Sequence, residues 1–398
     1  MLMEYYLKEY AGLFANTDRN VWNYEDGCVL IGLNALYEST GDETYFDCIK
    51  TFMDRYIEED GHIRLYRMED YNVDFIPAGR VLYLLHEKTG KEKYLIAIET
   101  LMEQIRRQPR TQHGSFWHKA IYPNQVWLDG LYMALPYYAM YQLRFSNGSL
   151  DDIVMQFENA RKYLYDEKQK LYYHAFCATK DIFWANPKTG CSANFWTRAI
   201  GWHLMAFADI YAMMPNGKLK ERMGELYMEC ASGVIKRRDD KSGMFMQLTA
   251  LPDTKGNYPE TSGTLMIAYS LMKGTRFGLL PAEFGRTGAE VLMSVEKNEF
   301  RLAGDELHLG GICKGAGLGP DGNFRRDGSA EYYISEDVVE DEQKGVGVCM
   351  MAYAEWLCYS NKVRHGGPRV GIFMKAYDPI MPDEIARLAI EGKRPGRL

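Results

Sequence analysis

The sequence predicts an all-α fold: an (α/α)6 toroid, a six-hairpin barrel, forming a single domain over residues 1–398. Three observations predict it. First, residues 36–57 and 85–106 repeat each other, with Leu36/Leu85, Glu38/Glu87, Thr40/Thr89, Gly41/Gly90, Tyr45/Tyr94, Ile49/Ile98 and Met53/Met102 as shared positions. Second, six stretches rich in small residues recur along the chain, each placed to open a helix. Third, a period of roughly 50 residues built of helical hairpins means a solenoid or a closed array of helix pairs. Six pairs favour closure into two concentric layers. An open solenoid is the rival, but its hairpins would be more uniform and less aromatic.

The elements follow in order. In the first repeat, Gly41 sits where a helix must end in a left-handed turn. Phe46, Ile49, Met53 and Tyr56 then mark one apolar face of the next helix. In the second, Gly90 plays the same part, and Leu95, Ile98, Met102 and Ile105 keep the spacing. The six helix starts fall near Gly27, at Pro77 to Gly79, at Asp129-Gly130, at Arg198 to Trp202, at Thr261-Ser262-Gly263 and at Gly345 to Gly347. Glycine there lets neighbouring helices approach closely. Residues 251–260 have turn chemistry, and the glycine-rich stretch 310–331 reads as a long loop with short extended pieces. The last stretch, 364–398, reads as loop with a short helix around 383–390. No linker composition splits the chain.

Composition narrows the function. A hydrophobic content of 46% supports a large core, and 29 Tyr and 7 Trp supply rings on which sugar faces stack. The net charge of −7 argues against a nucleic-acid partner, which needs a basic face. It leaves room for an anionic small substrate held by a local Arg. The eight Cys are scattered, with neither a Cys-x-x-Cys pair nor a His-Glu-x-x-His motif, so no metal site and no cofactor are expected. Scattered thiols, no apolar signal core in residues 1–10 and no 18-residue apolar run point to a cytoplasmic protein away from membranes.

Chemistry-bearing residues collect at the helix starts. Asp129 follows Trp127 and opens an otherwise apolar helix; Asp74 precedes Phe75-Ile76-Pro77. Either Asp can simply cap its helix. Arg198 can pair with any carboxylate, and Trp196 and Trp202 can be core. His118 and His174 lie in the loops leading to the third and fourth starts. Singly these are ordinary residues. In a toroid, however, the inner helices run parallel and their N-termini meet at one end of the cavity. Two carboxylates, two His, an Arg and several Trp at matching ends describe a pocket for a polar, anionic ring.

At these residues the chain resembles the unsaturated rhamnogalacturonyl hydrolases, glycoside hydrolases built as a six-hairpin α/α barrel. The resemblance spans nearly the whole chain. It rests on residues 74–79 and 126–133, on Leu171-Tyr172-Tyr173-His174, on residues 195–202 and 257–263, and on Glu331-Tyr332-Tyr333-Ile334-Ser335. It implies that Asp129 is the general acid/base and Asp74 a second required carboxylate. Tyr24, His118, Trp127, His174, Trp196, Arg198 and Trp202 would line the substrate subsite; because the chain is acidic and a bound carboxylate needs a local cation, Arg198 or a His beside it is expected to read the uronate. One departure is Thr197-Arg198-Ala199-Ile200-Gly201, where the family more often has Gly-Arg-Gly-x-Gly. The implied substrate is a lyase-generated oligosaccharide ending in a 4,5-unsaturated galacturonate. A carboxylic acid protonates carbon 4, water adds to carbon 5, and the hemiketal opens and expels the remaining chain. Apolar walls such as Trp127 and Trp202, or the charge of Asp74, would favour the protonated acid. Ordinary glycosidases instead place two carboxyls about the anomeric carbon. An unsaturated glucuronyl hydrolase acting on glycosaminoglycan fragments, an inverting hydrolase of saturated sugars, a His-based sugar 2-epimerase and a helical-repeat binding scaffold are the alternatives. The expected assembly is a monomer or weak homodimer.

Overall fold

The computed structural model describes residues 2–146 and 148–365. A first helix, α1 (Leu2–Asn16), precedes five consecutive hairpins: α2 (Tyr24–Thr40) with α3 (Glu43–Met53), α4 (Arg80–Thr89) with α5 (Glu92–Arg107), α6 (Leu128–Phe145) with α7 (Asp151–Leu164), α8 (Thr197–Met213) with α9 (Lys218–Val234), and α10 (Thr261–Arg276) with α11 (Ala282–Glu299). The short α12 (Ala330–Ile334) lies in the long loop that follows, and α13 (Gln343–His365) ends the described chain. The helix expected around 383–390 lies outside the described residues.

The even-numbered helices α2 to α10, together with α13, form the inner ring. α13 packs on α2 and α10, α10 on α8, and α8 on α6; α2 and α6 meet α4 through a 3-10 turn, Pro77–Gly79. α1 packs on α3 and α13, so the first helix completes the sixth hairpin with the last and closes the ring. The protein is an α/α barrel.

Burial explains the two layers. Inner α8 buries every residue from Thr197 to Ile210, as a helix covered on all sides must. Outer α5 buries Leu95, Ile98, Met102 and Ile105 but ends on exposed Arg106 and Arg107. The matching face of α3, with Phe46, Ile49 and Met53, is buried too, as is Tyr56 beyond its end. Gly41 and Gly90 end α2 and α4 with φ of 73° and 65°, their N–H groups donating to the carbonyls of Tyr37 and His86. Between inner helices the backbones nearly touch: a Cβ on Gly347 of α13 would run into the Cys28 backbone of α2.

Candidate active site

The first turns of the inner helices point to one end of the barrel, where loops build a cavity of about 490 Å³. Asp129 is the second residue of α6, and its carboxylate lines this cavity. Asp74 lines it too, from a separate 3-10 turn, Val73–Phe75, whose Asn72 side chain caps the Asp74 N–H. Asp74 is therefore not the cap of α4. An antiparallel strand pair, Gln125–Trp127 with Ala175–Cys177, brings His174 against α6, and the Leu128 N–H donates to the His174 carbonyl.

The two carboxylates sit in different surroundings. Asp74 Oδ2 is 2.6 Å from the Lys119 ammonium, and its Oδ1 is 3.5 Å from His118 Nε2. Burial pushes the Asp74 carboxyl up, but Lys119 and His118 outweigh it and hold the group below the usual carboxylate range. Asp129 Oδ2 lies 3.2 Å from His174 Nε2, out of line for a hydrogen bond, and both atoms are otherwise without a hydrogen-bond partner among the described residues. His174 is fully buried and fixed by its Nδ1, 2.7 Å from the Tyr333 hydroxyl. Burial pushes that phenol well up, so it keeps its proton and donates to Nδ1, which leaves the His174 proton on Nε2, facing Asp129.

His118 stacks flat on Trp127, ring centres 4.5 Å apart, and Tyr122 stacks on the same indole at 4.8 Å. Burial pushes the imidazole of His118 down to about 4, so it is neutral at neutral pH. This packing explains the glycine after Asp129: a Cβ on Gly130 would sit 3.0 Å from His118 Nδ1. Tyr24, the first residue of α2, also faces the cavity.

Four expected subsite residues do not line the cavity: His174, which backs Asp129 from behind the wall, and Trp196, Arg198 and Trp202. Arg198 is 2% exposed and does not line the cavity. Its guanidinium donates to the Ser262 hydroxyl and the Cys313 carbonyl, and Glu260 lies 4.0 Å away. Trp196 covers Arg198 from one side, 4.8 Å from ring centre to guanidinium carbon, and donates its Nε1–H to Gln247. Trp202 is core, stacked on Tyr132, so no second indole flanks the Arg. The reason is depth: the first turn of α8 is already inside the ring, against α10. The cavity instead contains cations that sequence reasoning passed over, Lys119 and, on the loop after α11, Lys314, Arg325 and Arg326. Lys119 had one available signal, adjacency to His118; the loop cations had none. Among the described residues no group of three or more His, Cys, Asp or Glu is placed to hold a metal ion.

A cavity at the inner-ring N-termini of an α/α barrel, with Asp74 and Asp129 among its acidic lining, fits a glycoside hydrolase. The sequence profile of Glycosyl Hydrolase Family 88 matches residues 3–359, and the chain belongs to that family. A solved C. acetobutylicum ATCC 824 glycoside hydrolase from family 105 is 40% identical, with a TM-score of 0.84, over 90% of this chain and 98% of that one. Protein Atu3128 of Agrobacterium fabrum (strain C58 / ATCC 33970) is 38% identical over 216 residues, 52% of this chain and 91% of the relative. The unsaturated rhamnogalacturonyl hydrolase YesR of Bacillus subtilis (strain 168) is 26% identical over 298 residues, 70% of this chain and 77% of that protein.

Proposed function

We propose that the protein removes the terminal 4,5-unsaturated galacturonate from lyase-generated rhamnogalacturonan or pectin oligosaccharides. The observation that carries this reading is the division of labour between two carboxyls in one cavity. Asp74 is tied to Lys119 and held ionised. Asp129 keeps an oxygen without a hydrogen-bond partner and is the group able to exchange a proton with substrate. The likeness to YesR supports the choice of sugar.

In the proposed reaction Asp129 gives its proton to carbon 4 of the enol ether. Water adds to carbon 5 and returns a proton to Asp129. The hemiketal breaks its bond between carbon 5 and the ring oxygen, leaving a ketone at carbon 5. Carbon 1 is then a hemiacetal, which releases the rest of the oligosaccharide as an alcohol. The net change is one water consumed, and no redox partner is needed. Trp127, Tyr122 and Tyr24 supply the walls for the ring, and Asp74 with Lys119 positions it. The eight unpaired cysteines support a place of action in the cytoplasm.

The test is loss of the enol-ether ultraviolet absorbance on unsaturated galacturonyl-rhamnose and on an unsaturated chondroitin disaccharide. The first should be consumed faster. Asp129→Asn, nearly isosteric but unable to donate an acid proton, should lose about 10²- to 10⁴-fold in kcat while the fold stays intact. Preference for the chondroitin disaccharide would replace galacturonate by glucuronate in this reading. Near-parental turnover by Asp129→Asn would remove Asp129 from its role.

A further inference from the structure

The charges lining the cavity pair off almost completely. Asp74 is taken by Lys119, Glu336 by Arg325 at 2.7 Å, and Asp337 by Lys314 at 3.4 Å. Glu25, at the cavity edge, is held by Lys344 and Arg19. Two charged side chains remain: Asp129, assigned above to proton transfer, and Arg326. Arg326 is half-buried and lines the cavity, and its guanidinium makes no ion pair and no hydrogen bond among the described residues.

Arg326 is also held in place. Its backbone N–H donates to the Asn323 carbonyl, and its carbonyl accepts from the Gly319 N–H at 2.8 Å. The loop around it is pinned to the barrel by Asn194 Nδ2 donating to the Gly328 carbonyl, by Trp184 Nε1 donating to Gly319, and by the strand pair Ile312–Cys313 with Val338–Val339. The guanidinium and the outer edge of Trp127 converge on Gly317: a Cβ there would lie 3.2 Å from Arg326 Nη1 and 3.3 Å from the indole. A planar donor fork, carried on a pinned backbone to the edge of the aromatic wall that flanks Asp129 and left unpaired there, suits a carboxylate.

We propose that Arg326 is the specificity-determining residue of the cavity, binding a carboxylate of the substrate; this rests on the reaction proposed above. The carboxylate has two sources, the unsaturated uronate itself or an acidic sugar on the leaving side.

The experiment compares Arg326→Gln with the parent on three substrates: unsaturated galacturonyl-rhamnose, unsaturated digalacturonate, and the methyl ester of the first. KM should rise about 10- to 100-fold, the loss expected for a charge-assisted hydrogen bond, with kcat little changed. A rise on both free acids but not on the ester assigns Arg326 to the uronate. A rise on digalacturonate alone assigns it to the leaving sugar. Arg326→Lys should recover only part of the loss. An unchanged KM on all three, or equal losses on acid and ester, overturns the proposal. If the parent consumes none of the three substrates, the reaction is wrong, and the carboxylate site is judged by calorimetric titration of digalacturonate into parent and Arg326→Gln. Binding lost in the variant sustains it; equal binding, or none to the parent, overturns it.

Discussion

Lys119 decides the state of Asp74. With burial as the largest influence, an isolated carboxyl at this place would be driven toward its neutral form, and the ammonium 2.6 Å away reverses that. The folded carboxyl therefore titrates below its unfolded value of about 3.9. It contributes stability above that pH and loses the contribution as the pH falls through the folded value. In Lys119→Met burial dominates, because His118, at about 4, carries no charge near neutrality. Asp74 should then take up its proton at higher pH. The acidic limb of the kcat/KM profile should move to higher pH, and the Asp74 share of the acid-side fall in Tm should vanish, because a folded value raised above the unfolded one makes protonation favour the folded chain. Unmoved profiles in Lys119→Met would show that Asp74 is not the group titrating there.

At the scale of the element, α8 carries a histidine with no chemical task. His203 is fully buried among Phe157, Tyr172 and Phe207, with neither ring nitrogen hydrogen-bonded to a described residue. Burial pushes its imidazole down to about 3. Between the unfolded value of about 6.5 and that folded value, the unfolded chain holds a proton that the folded chain refuses. Stability therefore falls as the pH drops through this window, by on the order of 5 kcal/mol in full. His203→Leu should flatten the decline of Tm between pH 7 and 4, leaving the smaller slope due to His118. A slope unchanged in His203→Leu would mean that α8 opens and hydrates the ring on acidification. Elements of this kind are where the sequence was most readable. The repeated Thr-Gly turns and the 3–4 spacing of apolar residues are local signals, and the six small-residue starts do open α2, the turn before α4, α6, α8, α10 and α13. Side-chain destinations were less readable. Arg198 beside Trp196 looks like a ligand-reading pair until the depth of the ring is known. Lys119 and Arg326 sit on loops without periodicity, and only tertiary pairing brings them to the cavity.

At the scale of the whole molecule, ring closure leaves a polar junction near the carboxyl ends of α8 and α10, away from Asp129. There Asp209 of α8 accepts from Arg80 of α4 at 2.7 Å, from Lys273 of α10 at 2.7 Å, and from the Tyr269 hydroxyl at 2.5 Å. Arg80 in turn donates to Tyr132 of α6. One carboxylate thus joins four of the six inner helices beside a cavity of about 70 Å³. Burial pushes Asp209 up, but Lys273 and Arg80 outweigh it and bring the group down to about 2, so it stays ionised at any working pH. A buried charge set of this kind adds little over an apolar replacement, yet removing one member is expensive because its partners stay charged in a low dielectric. Asp209→Asn keeps the shape and leaves Arg80 and Lys273 facing an amide. It should cost about 3–5 kcal/mol and lower the calorimetric Tm by on the order of 4–6 °C, while KM measured well below that temperature stays at the parental value, since no residue lining the Asp129 cavity is touched. Replacing all three members with apolar residues, Arg80→Met with Lys273→Met and Asp209→Leu, should return much of the lost Tm. An Asp209→Asn protein melting with the parent would show that the inner ring is held by its apolar contacts alone, with the charges as passengers.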